Sequence, residues 1–109
     1  MTDISLHLLR ERFDNKAADI LTSIRMSRHK VIDEKDMVEL LSVLDEIHKA
    51  LFDEVMVPKE LVGILYFLFT QLLAEADHAI NPGPIVAFAW EIEERLSKIF
   101  GPFWGSDRV

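Results

Sequence analysis

A chain of 109 residues has room for one hydrophobic core and not two, so a single domain is expected over residues 1–109. Half of the residues are hydrophobic and 28% are charged, which excludes the low-apolar regime of disordered chains; the absence of cysteine excludes disulfide frameworks, thiolate metal sites and cysteine nucleophiles. A net charge of −7 repels phosphate backbones and attracts basic surfaces, so nucleic acid is not an expected partner and a basic protein is.

The stretch from Met1 to Arg12 carries Asp3 and Glu11 and lacks the basic flank and continuous apolar run of a secretory signal, so a cytoplasmic protein is expected. Within it, Leu6, Leu9, Phe13, Ala17, Ile20 and Ile24 recur at spacings of three and four, the mark of one helical face, which Leu8 and Leu21 widen. This predicts a first helix over about 5–29. Asp33 precedes Glu34, Lys35 and Asp36, a cap followed by carboxylates where the helix dipole favours them. A second helix is predicted over 33–55, its face made of Met37, Leu40, Leu41, Leu44, Ile47, Leu51 and Val55.

Val57 and Pro58 end that pattern, and Pro58 suits a first helical turn because its missing N–H is not needed there. The third predicted helix, 58–79, is the most apolar. Its segment Leu61–Leu73 is interrupted by Thr70 and Gln71 and is shorter than the roughly 20 apolar residues of a membrane span, so no membrane is expected. Apolar residues cover about two thirds of its circumference, at ~100° per residue. Such a helix is either wrapped by its neighbours or carries an interface. Asn81-Pro82-Gly83-Pro84 is the strongest turn signal in the chain. A fourth helix is predicted over 84–100, with Ile85, Phe88, Ala89, Ile92, Leu96, Ile99 and Phe103 in register, closed by Gly101-Pro102 and followed by a short aromatic tail.

The expected fold is therefore all-α: a four-helix bundle, antiparallel and up-down-up-down, with helix 3 most buried. A three-helix core with a peripheral helix and an intertwined dimer are the alternatives.

Chemistry-bearing patterns are sparse. Glu75 with His78 and Asp45 with His48 have the i, i+3 spacing that di-metal bundles use. Across one antiparallel hairpin, however, the two histidines differ in height by ~18 Å, so no metal site is expected. No serine sits in a Gly-x-Ser-x-Gly elbow, and the adjacent carboxylates Asp45/Glu46 and Glu93/Glu94 diverge around their helices, so neither catalytic residues nor an enzyme are expected. The turn at Gly83 has the form of an anion site, but two prolines remove donors and no cation follows before Arg95, so no cofactor is expected.

Leu9, Arg10 and Glu11, with Arg25, Arg28 and Lys30 further along, give helix 1 an opening that resembles helical chorismate mutases. The resemblance is confined to that helix and implies cations converging on a dicarboxylate. Helix 2 lacks the Arg and Lys such a site requires, and the enzyme reading is not adopted.

Two surface features point to protein binding instead. Glu39, Glu46 and Asp53 recur every seven residues, an outward line of carboxylates ~10 Å apart, thickened by Asp33, Asp36, Asp45, Glu54 and Glu60. The charge is concentrated there: residues 32–60 hold three Lys/Arg against nine Asp/Glu, while residues 1–31 hold six against four. Trp90 stands off the helix 4 core face, and Trp104 follows the Gly-Pro pair; exposed tryptophan is a frequent interface anchor. The expected partner-binding residues are Glu39, Glu46, Asp53, Asp36, Trp90 and Trp104. The expected function is a small acidic module that inhibits a basic protein, of the immunity, antitoxin or phage-inhibitor type. The alternatives are a homodimer joined through helix 3 and Trp90, and a ligand-binding bundle or enzyme with an unrecognised pocket.

Overall fold

Polar caps and prolines set where the helices begin. The computed structural model describes residues 3–27, 32–54 and 56–104, the side chains of 3–4 and 101–104 excepted; among these it contains four helices and no strand. They are α1 (Asp3–Met26), α2 (Glu34–Ala50), α3 (Lys59–Ala76) and α4 (Gly83–Trp104). Asp33 caps α2, its carboxylate accepting from the Lys35 N–H at 2.7 Å. Pro58 is the N-cap of α3, with φ −58° and ψ 132°, one position earlier than expected, and its carbonyl accepts from the Leu61 N–H at 3.0 Å.

α1 and α3 each end three residues before expectation, at Met26 and Ala76, and two other helix ends depart further. α2 stops at Ala50: the Phe52 and Glu54 N–H groups bond back three residues, to Lys49 and Leu51, and tighten the chain out of the α-helix. Leu51 remains buried as the chain turns, which is why the apolar spacing outruns the helix; Val55 lies outside the described residues. At the other extreme, α4 runs through Gly101-Pro102 to Trp104. A proline's fixed φ is helical, and in the last turn its missing donor removes one bond only.

The core is a single apolar cluster. Phe13, Ile20 and Ile24 of α1 meet Leu40, Leu44 and Ile47 of α2, Leu61, Leu65, Leu68 and Leu72 of α3, and Ile85, Ile92 and Leu96 of α4. No polar or charged residue among the described ones is buried, so the core contains no ion pair whose desolvation must be offset. Each such aliphatic side chain contributes about 1.5–3 kcal/mol.

Burial on α3 is confined to one stripe, Leu61, Leu65, Leu68, Leu72 and Ala76. α3 thus buries a single face, as α1, α2 and α4 do. Its surplus apolar residues Val62, Ile64, Tyr66, Phe69 and Leu73 are half-buried, and Phe67 is 53% exposed.

Neighbour relations differ from a ring in chain order. α1 packs on α2 and α3, and α4 packs on α2 and α3, so α2 and α3 lie across a diagonal. Ion pairs give the directions. Arg12 meets Glu46 and Lys16 meets Asp36, so α1 and α2 run oppositely. Arg10 meets Glu60 and Arg25 meets Glu75, so α1 and α3 run the same way, side by side. The Tyr66–Phe100 and Phe69–Trp90 ring contacts set α4 against α3. Short links favour antiparallel neighbours, but the α2–α3 link can reach further. Eight residues extend to about 26 Å, twice the diagonal of a bundle whose neighbours stand 8–10 Å apart. This crossover, the start of α1 and the end of α4 share one end of the molecule, and the other two links share the opposite end.

Candidate functional site

The acidic line on α2 proves to be half of a charged seam. Lys16, projecting from α1 between two turns of α2, places its Nζ 3.1 Å from Asp36 and 2.8 Å from Glu39. Its side chain is about three-quarters covered, and the two hydrogen-bonded carboxylates hold its pKa well above the ordinary lysine value. Glu39 is held below the ordinary carboxylate value, first by the hydrogen bond from Lys16 and then by its charge. One turn towards the crossover, Arg12 lies 3.0 Å from Glu46. On the far side of α2, Arg95 of α4 pairs with Asp45 at 3.3 Å.

Of the residues expected to bind a partner, Asp36, Glu39 and Glu46 therefore come together along α1, the first two sharing Lys16 and the third held by Arg12. Asp53 is separated from them. It lies in the turn that ends α2, exposed, with no ion pair among the described residues. Beside it Glu54 is also exposed and has none among them. The two stand between Phe52, 75% exposed, and Met56, 85% exposed. Behind them a surface hollow of about 500 Å³ runs between Leu9 of α1 and Ala50, lined by Glu46, Lys49, Asp53 and Glu54. The sequence contained this feature only as two acids within a longer acidic run; Phe52 and Met56 were overlooked because they fall outside helical register.

Trp90 is 54% exposed and rests edge-on against Phe69, ring centroids 5.6 Å apart. Trp104 ends α4, and its side chain lies outside the described residues. On the same α3/α4 seam, Tyr66 sits 6.0 Å from the Phe100 ring; burial, with a smaller contribution from Glu93, pushes its phenol up to about 12.

The metal-like pairs are also apart. Glu75 is engaged by Arg25 at 3.2 Å, Asp45 by Arg95, and His48 packs edge-on against Phe52. The helices carrying them, α2 and α3, do not touch. Among the described residues, no three His, Asp or Glu side chains converge as a metal site would require. Arg10 and Arg25, the helix 1 cations of the chorismate mutase resemblance, are bound to Glu60 and to Glu75 and Gln71 of α3. They do not converge on an open anion site.

A further surface hollow lies elsewhere, and no sequence expectation pointed to it. It runs along the α1/α3 seam, a groove of about 560 Å³ lined by Asp14, Ala17, Ala18, Leu21, Thr22 and Arg25 from α1 and by Glu60, Gly63, Ile64 and Phe67 from α3. A smaller hollow of about 300 Å³ continues it past Glu60 towards Leu6, His7 and Pro58. Gly63 and two adjacent alanines are the sequence signal that could have located it.

What the chain defines, then, is an all-helical fold, with four helices and no strand among its described residues. No protein-family model, curated protein or solved structure matches it. Among the described residues, no helix is long and apolar enough to cross a membrane.

Proposed function

We propose that this chain is a small acidic helical binding module that docks on a basic protein partner in the cytoplasm and regulates it by occlusion, as an immunity protein, antitoxin or phage-encoded inhibitor does. It performs no chemistry of its own in this reading, and the bundle of alternating helices serves as a rigid support for the docking surface.

The observation that carries the reading is the crossover between α2 and α3. There Asp53 and Glu54 form no ion pair with a described residue and stand between the exposed Phe52 and Met56, whereas Asp36, Glu39 and Glu46 higher on α2 are engaged by Lys16 and Arg12 of α1. Unpaired carboxylates steer a cationic surface towards the contact. The flanking apolar side chains then lose water when it forms, which supplies affinity that charge alone does not. Among the described residues that line the adjacent hollow, Lys49 is the one cation against Glu46, Asp53 and Glu54, which leaves the acids in excess.

The test is retention of Lys/Arg-rich proteins at low ionic strength by the wild type, by Asp53→Lys/Glu54→Lys, by Phe52→Ser and by Glu39→Gln. The wild type holds such a partner, and moderate salt releases it. The crossover variants weaken binding by about tenfold or more, while Glu39→Gln changes it by less than about threefold. A partner kept equally well by the doubly reversed variant removes the reading.

A further inference from the structure

The α1/α3 groove is the sparsest of the four helix–helix seams, and its shape follows from what lines it. Two ion-pair contacts clasp the helices, Arg10 with Glu60 and Arg25 with Glu75. Arg10 and Arg25 are about 22 Å apart along α1 at ~1.5 Å per residue. Between them the side chains are too small to fill the space. Ala17 and Ala18 line the same hollow as Gly63, and a Cβ placed on Gly63 would meet no heavy atom within 4 Å. The floor beneath is apolar, formed by Leu21 and Ile64.

We propose that this face docks on a second copy of the chain, with Phe67 of each copy entering the groove over Gly63 of the other. A two-fold contact requires that projection and recess occupy the same surface, because every contact is made twice. Phe67 meets that requirement. It stands one helical turn from Gly63 on the groove's lip, 53% exposed, and an aromatic ring on a small-residue floor is the usual anchor of such contacts. Charge selects the occupant. The ionised residues lining the two hollows are Arg10 and Arg25 against Asp14 and Glu60, a balanced set on a chain whose net charge is −7. A basic partner gains nothing there, whereas a second acidic copy meets a face that does not repel it and brings both signs to the contact.

Sedimentation equilibrium from micromolar to millimolar concentration tests the proposal, on the wild type, Gly63→Gln, Phe67→Ser and, as a control on another face, Trp90→Ser. The wild type moves from monomer to dimer with concentration. Gly63→Gln blocks the recess and Phe67→Ser removes the projection, and each weakens association by about tenfold or more while its helical circular dichroism is unchanged; Trp90→Ser associates like the wild type. A wild type that stays monomeric throughout overturns the proposal. So does a dimer that survives either groove variant, or one lost only in Trp90→Ser.

Discussion

α1 packs against two neighbours in two different ways. Its contact with α2 is close and charged at the rim: Lys16 spans Asp36 and Glu39, Arg12 reaches Glu46, and apolar residues fill the space beneath. Its contact with α3 is held near both ends and open in the middle, where Ala17, Ala18 and Gly63 leave a groove. A hollow of about 540 Å³ lies on the α1/α2 seam too, but Lys16 and Glu39 line it and are ion-paired there, whereas alanine and glycine line the α1/α3 groove. What fills a seam depends on the side chains that each helix sets against the other, a property of the pair rather than of either helix.

Truncation of consecutive residues on α1 separates the two seams most strongly. Ile20 is 1% exposed within the core and Leu21 lines the groove. Ile20→Ala leaves an enclosed void and should cost about 4 kcal/mol in denaturant unfolding; Leu21→Ala opens onto solvent-accessible space and should cost about 2 kcal/mol. Equal losses would mean that the groove closes in solution. Lys16→Met comes next, because it leaves Asp36 and Glu39 facing each other uncompensated. The urea midpoint should fall, and the difference from wild type should narrow in high salt as repulsion between the carboxylates is screened.

Acid titration addresses the same seam. The pKa of Glu39 is lower in the folded chain than the ordinary glutamate value of 4.5, so its stabilisation is present above about pH 4.5 and is lost as pH falls through the folded value. Glu39→Gln should flatten the wild-type loss of stability below that pH, measured by thermal melting across the acid range. Lys16 is shifted upward, so its contribution is complete below its ordinary value and disappears only in strong alkali. The smallest effect belongs to the open seam. Gly63→Ala adds a methyl group to empty space in mid-helix and should stabilise the monomer by about 0.5–1 kcal/mol, read at the lowest workable concentration.

The faces that build the core were legible because helical periodicity reports which residues share a side. Leu9, Phe13, Ala17, Ile20 and Ile24 on α1, and Ile85, Phe88, Ala89, Ile92, Leu96 and Ile99 on α4, are buried where spacing places them. Leu8, taken to widen the α1 face, is 54% exposed, and Val43, outside the expected α2 face, is buried. Periodicity is silent on what a face opposes. The seven-residue recurrence of Glu39, Glu46 and Asp53 fixes a line along one helix, yet the first two meet α1 cations and the third lies beyond the helix end. Nor could spacing place α3 beside α1 instead of α2, since that depends on the reach of the link between them. The groove escaped notice for the same reason: Gly63 reads as a helix defect until Ala17 and Ala18 are known to line the same hollow.

The diagonal crossover brings the beginning of α1 and the end of α4 to the same end of the bundle as Phe52 and Asp53. A bulky group attached within the first turn of α1 or the last turn of α4 would therefore crowd the crossover and reduce apparent affinity for geometric reasons alone. Asn81, exposed in the link between α3 and α4, lies at the far end. In a chain without cysteine, Asn81→Cys provides a single thiol for attachment and leaves the crossover unobstructed.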